Sequence, residues 1–461
     1  MKRLLPKLPR KWLIFTVTAT GTFMGTLDGG VVNVALPVMA KQFGADIENI
    51  QFVVSVYLLV ITCFLPIFGK LSDMYSRKKM YLGGFLLFGL GSLLCSLSGS
   101  LALMIVSRAL QGLGASAMMA NAQAVIAKAF IGKDRGRALG GVGAVVALGS
   151  LAGPAVGGFL IQHWGWQSVF WVNIPVCILG IWRGVQIIPR FNPVAKIRMD
   201  IAGAGYFLLG SFLFLFALNE GPSKGWTSPL LLAAFALCVV FFMLFLRREK
   251  VSKTPFLGMS IFKIKAISYG YVVAVLGFMA LFTNAVLLPF YLTDIMHLDP
   301  VQIGLLLLPF PAALAVASPV SGVLSEKYSA RFITTAGLGF VLCGALLFAF
   351  IGDSPSYAYI VLAQLMMGTG SGTFQVPNNN TVISAAPKNK LGIVSSVNAL
   401  ARNAGMIMGI ALSVAVYAAV QGAYLRAGAA AQSAFLHGYQ AAMFFGAALA
   451  VAGGVFSLRR E

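Results

Sequence analysis

About fourteen apolar runs, each long enough to cross the roughly 30 Å hydrocarbon core of a bilayer, follow one another along this chain with short polar breaks between them. The first covers 12–36 and the last 438–458. Water is absent at that depth, so backbone N–H and C=O groups must satisfy each other within a segment, and runs of this length do so as α-helices. Charged residues make up 10% of the 461 positions and hydrophobic ones 59%, against about 25% charged in soluble domains. A water-soluble globule is excluded. The basic start, MKRLLPKLPRKWLIF, has the head of a signal peptide. The run behind it is too long for a cleaved core and contains Asp28, so it reads as a retained first membrane helix. The expected fold is an all-α polytopic protein of the cell membrane with about 14 transmembrane helices and both termini cytoplasmic.

Net charge is +21. In a soluble protein that balance points to nucleic acid; here the placement of the charges gives another cause. With the amino terminus inside, all but six of the 34 Lys and Arg fall in interior segments. The exceptions are Lys41, Lys224 and Arg426 in exterior loops and Arg108, Arg183 and Arg402 within spans. Acidic residues divide evenly between the two sides, as the positive-inside rule, which counts only Lys and Arg, allows. No nucleic-acid partner is expected. The five cysteines lie in apolar segments without paired spacing, and His163, His297 and His437 are far apart, so neither a disulfide framework nor a metal site is expected.

The chain repeats itself. GKLSDMYSRKKMYL from Gly69 resembles GVLSEKYSARFITT from Gly322, and QGLGASAMMANAQAVI from Gln111 resembles MGTGSGTFQVPNNNTVI from Met367. Both pairs occur in the same order, which predicts two homologous six-helix halves, 1–190 and 267–461. The segment 191–266 matches neither half and holds two extra central helices and a basic cytoplasmic connector.

Two charges sit deep in the apolar runs. A carboxylate at the centre of a spanning helix costs roughly 2.5–3.5 kcal/mol on insertion scales. Asp28 therefore needs a partner, a water-filled cavity or a neutral form. It reads either as a proton site of a secondary transporter or as a structural acid bonded to a neighbouring helix. Arg108 needs an anionic or polar partner for the same reason; Asp28 is the mid-span carboxylate within the sequence, and backbone carbonyls or water are the alternatives. If the two meet, their competition tunes the acid to load and release a proton; otherwise Arg108 is structural. In GSLAGPAVGG, Pro154 removes a helical hydrogen bond while Gly149, Gly153, Gly157 and Gly158 form a smooth face for close helix packing.

On these motifs the chain resembles the major facilitator superfamily, and within it the fourteen-helix drug:proton antiporters, over nearly its whole length. GKLSDMYSRKK resembles the signature loop between the second and third helices, departing from it at Met74 and Ser76, where Arg and Gly are usual. RALQGLG resembles the fourth-helix motif, GSLAGPAVGG fits the antiporter motif of the fifth helix, and LDGGVVNVALP resembles the first-helix motif with Gly30 in place of the usual Thr. The resemblance implies alternating access in a functional monomer that exports a small-molecule substrate across the bilayer as protons enter, with no other cofactor. It implies that Asp28 couples to protonation, that Arg108 assists proton transfer, and that the kink at Gly149, Gly153, Pro154, Gly157 and Gly158 favours export. It also implies a conformational latch of Gly69, Asp73, Arg77 and Lys78, echoed by Glu326 in the second half.

Candidates for the substrate wall are the polar and aromatic residues of cavity-lining helices: Asn33, Gln51, Tyr57, Gln123, Phe282, Asn284, Tyr291, Phe374, Gln375, Asn378 and Asn398. Aromatic faces would stack on flat or cationic ligands; each of these residues also fits ordinary packing. Glu220 and Asp294 lie near outer helix ends and either attract cations or are solvated loop acids. The expected function is proton-coupled export of hydrophobic small molecules, cationic ones included. Export or flipping of an amphipathic metabolite or lipid is the alternative, and a non-transporting membrane sensor or scaffold is a further one. One mid-span acid without a His or Cys partner is not a catalytic set, so an enzyme is not expected.

Overall fold

A computed structural model of the chain describes residues 10–130, 133–189, 200–225, 227–252, 259–387 and 391–460. The first half is built from α1 (Arg10–Phe43), the short α2 (Ile47–Ile50), α3 (Phe52–Met74), α4 (Arg77–Ser96), α5 (Leu101–Ala129), α6 (Lys133–Trp164), the short α7 (Ser168–Trp171) and α8 (Asn173–Ile187). Then come α9 (Ile201–Lys224) and α10 (Pro229–Val251). The remainder is α11 (Lys265–Phe282), α12 (Asn284–Phe290), α13 (Pro300–Leu307), α14 (Pro309–Lys327), α15 (Ala330–Ala349), α16 (Tyr357–Ser384), α17 (Leu391–Arg426) and α18 (Ala431–Leu458). Among the described residues, 12 helical segments are long and apolar enough to cross a membrane.

Local chemistry sets where the helices begin and break. Ser100 and Ser356 accept hydrogen bonds from the N–H groups of Leu103 and Tyr359, and Asp299 forms a capping box with Gln302. Pro309 separates α13 from α14. Pro289, which has no N–H to give, precedes a π-turn over Tyr291–Ile295.

Glycines carry the helix contacts, and they do so twice. A Cβ on Gly91 of α4 would lie 2.5 Å from the backbone nitrogen of Gln111 on α5, and one on Gly84 would lie 2.8–3.0 Å from Met118 and Gly114. In the second half, a Cβ on Gly344 of α15 would lie 2.5–3.0 Å from Met367 on α16, and one on Gly337 would meet Phe374 at 2.5 Å. Gln111 and Met367 are the first residues of the two repeated segments, so the repeat in sequence is a repeat in packing. Each crossing admits no side chain, and close approach of backbones is how helices associate where lipid is as apolar as the helix.

Both ends of the described chain lie at one end of the bundle. Pro37 and Lys41, near the close of α1, share a crevice with Phe290 and Asp294, at the close of α12. The starts of α1 and α11 are therefore together at the other end, where Arg460 reaches Asn378 beside Gly270. At the end far from the termini, one apolar core joins residues of both halves, among them Val31, Leu36, Ile50, Leu287, Tyr291 and Tyr439. Nearer the termini, the first half has its own core around Tyr81, Phe85 and Met118, and another core around Tyr271, Val394 and Val397 takes in Ala204, Phe207 and Phe245 of α9 and α10, with Ile67 of α3 packed against it. Helix α9 packs across the seam where α3 meets α17, with Leu218 beside Val60, Cys63, Ile407 and Ala411. Asp200 caps α9 and pairs with Arg248 of α10 at 3.0 Å. The outer side of α10 exposes Leu232, Leu237, Val240 and Met243, an apolar face suited to lipid.

Candidate functional site

Asp28 and Arg108 form an ion pair inside the first half. Arg108 Nη1 lies 2.7 Å from Asp28 Oδ2, and neither side chain is more than 1% exposed. The guanidinium also donates from Nε to the Val53 carbonyl at 2.9 Å and from Nη1 to Gln111 Oε1, and its plane lies 4.1 Å from the Tyr57 ring centroid. The other carboxylate oxygen of Asp28 accepts from Gln111 Nε2 at 2.9 Å and Asn173 Nδ2 at 3.3 Å. Ser92 Oγ accepts from the same two amides at 2.9 and 3.4 Å. Five helices, α1, α3, α4, α5 and α8, thus contribute to one polar network around this carboxylate, which α5 and α8 bond directly. Sequence reasoning named Asp28, Arg108 and Tyr57 and missed Gln111, Asn173 and Ser92; the three-residue step from Arg108 to Gln111, which puts both on one helix face, was the available signal.

The small residues of α6 form two seams. Gly149 and Gly153 abut α1: a Cβ on Gly153 would lie 3.0 Å from the Gly30 Cα and 3.1 Å from the Leu27 carbonyl oxygen. A Cβ on Gly30 would in turn meet Pro154 Cδ at 3.0 Å, so the glycine at this position leaves room for the proline ring. Gly157 abuts Val31 of α1, and Gly158 crosses to the other half, where a Cβ would clash with the Pro300 carbonyl oxygen. Helix α6 runs through Pro154 without interruption.

The cleft between the halves narrows from one end to the other. On α17, Ser395, Ala399, Arg402, Met406, Ile410, Ser413 and Tyr417 fall at three- and four-residue spacing along one face. That face lies between the side against α11, marked by Gly405 and Gly409, and the side against α3 and α9, marked by Ile407 and Ala411. Along it Ser395 is exposed, Ala399, Arg402 and Met406 are half-buried, and Ile410, Ser413 and Tyr417 are buried. The facing side of α1 behaves alike: Thr22, Gly25, Gly29 and Asn33 are half-buried, Leu36 and Ala40 buried, and a Cβ added at Gly25 or Gly29 would touch nothing within 4 Å. The space between the halves therefore opens toward the termini and is shut at the far end. There Lys41 and Asp294 approach to 3.5 Å across the halves, beside a crevice of about 550 Å³ that also holds Asp46, Glu48 and Tyr417.

The remaining candidates fall in several places. Asn33, on the cleft face of α1, has a buried Oδ1 without a partner. Asn398, on α17, donates to Asn379 at 2.8 Å, and Gln375 donates to Ser371 at 2.6 Å. Four others are held inside the second half in this conformation. Tyr439 donates to Asn284 at 2.7 Å, Tyr291 donates to the Gly352 carbonyl and stacks on Tyr439, Phe374 packs edge-on to Phe278, and Asn378 donates to the Gly270 carbonyl at 3.0 Å. Phe282 packs against the shared core, and Gln51 bonds the Glu48 carbonyl. The expected loop from Gly69 to Lys79 is mostly helical, with only Tyr75 and Ser76 between α3 and α4: Gly69 lies within α3 and faces open space, and Lys78, in the first turn of α4, donates to the Val185 carbonyl of α8 at 2.7 Å. Arg77 stands at the first position of α4. The side chains of Asp73, Gln123 and Glu326 lie outside the described residues. Glu220 pairs with Lys224 at 2.9 Å one helical turn away.

Comparison with known proteins agrees with this architecture. The family model described as Major Facilitator Superfamily matches residues 18–410. The riboflavin transporter RibZ of Clostridioides difficile is 35% identical over 89% of this chain and 89% of its own length. The methylenomycin A resistance protein of Bacillus subtilis is 32% identical over 90% and 91%, and the multidrug resistance protein Stp of Mycobacterium tuberculosis 31% over 88% and 76%. Among solved structures, the POT family transporter PepTSo superimposes with a TM-score of 0.71 over 99% of this chain and 98% of its own, at 15% identity, which speaks for the fold alone. The chain belongs to the Major Facilitator Superfamily, as a multi-pass membrane transport protein and not an enzyme.

Proposed function

We propose that the chain is a proton-coupled exporter of hydrophobic small molecules that works by alternating access between the halves 1–190 and 267–461, with 191–266 as an added central pair of helices. In this reading α6, of 32 residues, and α16, of 28, complete fourteen spans, and both termini are cytoplasmic, where the basic residues lie. The shape of the cleft supports it: the side open to the termini is then the cytoplasmic side, and the molecule stands ready to load from the cell.

The observation that carries the coupling reading is the enclosed Asp28–Arg108 pair. In this reading, as α1 moves against α5, a proton taken up by Asp28 frees Arg108 and Gln111 to bond elsewhere. In this reading the pair has a second arrangement when the cleft turns over, which is what a switch between two cleft arrangements requires. One charge crossing 100 mV releases about 2.3 kcal/mol, so each proton entering sustains roughly a fifty-fold substrate gradient. The protein acts as a monomer with the small molecule, protons and the bilayer as its partners. Purified protein in sealed vesicles, loaded with a pH-sensitive dye, tests the coupling. Addition of a transported compound should release protons across the membrane at a rate set by the compound's concentration, and flux without proton movement would refute it.

A second reading, movement of an amphipathic metabolite, is favoured by one observation: the relative named a riboflavin transporter is more similar to this chain, at 35% identity, than the two relatives named for resistance that are cited above. The substrate class decides between the two.

A further inference from the structure

Arg402 is a charge within a span that the Asp28 network does not use. It lies on α17, and its depth follows from two close contacts: Gly405 abuts Val275 and Gly409 abuts Met279, so α17 and α11 run parallel and Arg402 stands level with residue 272. That is about 10 Å beyond the start of α11 at 1.5 Å per residue. The side chain occupies the cleft face, between exposed Ser395 and buried Ile410. Its Nε is shut off from solvent without a hydrogen-bond partner, and Arg402 makes no ion pair among the described residues. One turn toward the termini, Asn398 leaves its Oδ1 buried and unpaired while its amide is held by Asn379. Asp28, the carboxylate deepest in the spans, is already matched by Arg108.

A guanidinium at this depth without an anion is costly, and an intramembrane charge of this kind ordinarily has a counterpart. The chain supplies none among the described residues. The geometry points to Arg402 as an anion-binding subsite on the wall of the cleft, which receives an oxyanion, a carboxylate or a phosphate, carried by an otherwise apolar substrate. The planar, forked donor set of arginine matches an oxyanion through two parallel bonds. Met406 and Ala399, on the same face, offer apolar surface to the rest of the molecule. This inference rests on the transport reading and narrows it: the substrates are amphiphilic anions, and cationic compounds are disfavoured beside an uncompensated arginine. Export of a monoanion from a cell negative inside is also helped by the membrane potential.

The test uses the full chain in detergent with three probes of equal chain length: a dansyl-labelled alkanoic acid, its methyl ester and a dansyl alkyl phosphate. Binding is read by dansyl fluorescence for the wild type, Arg402→Gln and Arg402→Lys, each first checked for an unchanged elution profile and melting temperature. The wild type should bind the acid or the phosphate more tightly than the ester, and whichever of the two binds better identifies the oxyanion. Arg402→Gln should weaken that anion by about ten- to a hundred-fold and leave the ester unchanged, while Arg402→Lys keeps part of the preference. Equal affinity for ester and anion in the wild type, equal anion binding in Arg402→Gln, or loss of all three probes together would overturn the assignment. Proton-driven flux of all three probes, measured in vesicles with the same variants, separates the two claims. Flux retained in Arg402→Gln with no anion preference in the wild type sinks the subsite and leaves export standing; absence of flux of every one of the three probes in the wild type sinks export.

Discussion

Arg108 Nη1 stands 2.7 Å from Asp28 Oδ2 with both side chains closed to solvent, and the other oxygen of that carboxylate is bonded within the same half of the molecule. A buried pair of this kind is hard to break from one side, because the charge left behind has no solvent to fall back on. Arg108→Met should therefore cost about 3–5 kcal/mol of stability, while the double variant Asp28→Asn with Arg108→Met regains most of it. Thermal unfolding followed by tryptophan fluorescence checks this. A double variant no more stable than the single one would mean that the surrounding amides, and not the charges, organise the site.

Gly158 holds the far end shut by touching the Pro300 carbonyl. Gly158→Ala puts a methyl group where the backbone oxygen already is, so the two halves must part there. In a cysteine-free background carrying Ala40→Cys, at a position now 5% exposed, a membrane-impermeant maleimide should label the Gly158→Ala variant several-fold faster than its parent. Unchanged labelling would show that the seam yields elsewhere. Gly153→Ala, by contrast, presses on Gly30 within the same half and should lower stability by about 1–3 kcal/mol without opening the far end.

Lys41 and Asp294 meet across the halves, but Lys41 is 67% exposed and the contact is 3.5 Å. Exposed pairs contribute about 0–1 kcal/mol and less in salt. Lys41→Gln should leave the melting temperature almost unmoved, and a rise in maleimide labelling at Ala40→Cys should be small and vanish at high ionic strength. A large opening would make this pair, and not the α6 seam, the main closure.

Asp200 caps α9 at the membrane surface. Burial alone would raise its pKa, yet the bonds from the Gly203 N–H, the Ser252 hydroxyl and Arg248 outweigh burial and hold it below the usual carboxylate range. A group depressed in the folded state stabilises the fold above its unfolded pKa of about 3.9, and that stability is lost as pH falls through the lower folded value. The wild type should lose stability relative to Asp200→Asn on going from pH 5 to about pH 3. Parallel curves for the two proteins would contradict this.

Much of the architecture was legible because membrane spans obey few rules. The alternation of Lys and Arg set the expected order of the loops, and the two copies of the glycine-rich segment at Gln111 and Met367 foretold two equivalent helix crossings. Asp28 and Arg108 could be paired on paper because charges are so scarce in the spans. Their amide partners could not: Gln111, Asn173 and Ser92 are neutral polar residues of a kind scattered along many spans, and only the packing of α4, α5 and α8 selects them. Candidates such as Tyr291, Phe374 and Asn378 met the compositional criteria for a cavity wall, yet here they bond or pack within the second half. Which face a polar residue turns to the cleft depends on helix rotation, and near-uniform hydrophobicity hides that rotation from the sequence. The importance of Arg402 became visible only once its described neighbours were seen to offer it no anion.

The central claim is that proton uptake at Asp28 drives export. Its most direct test is dye efflux from proteoliposomes under an imposed pH gradient, comparing the wild type with Asp28→Asn and with Glu220→Gln as a control in which an acid outside the site is neutralised. The account expects wild type and Glu220→Gln to pump at similar rates and Asp28→Asn to lose gradient-driven efflux; undiminished pumping by Asp28→Asn would contradict it.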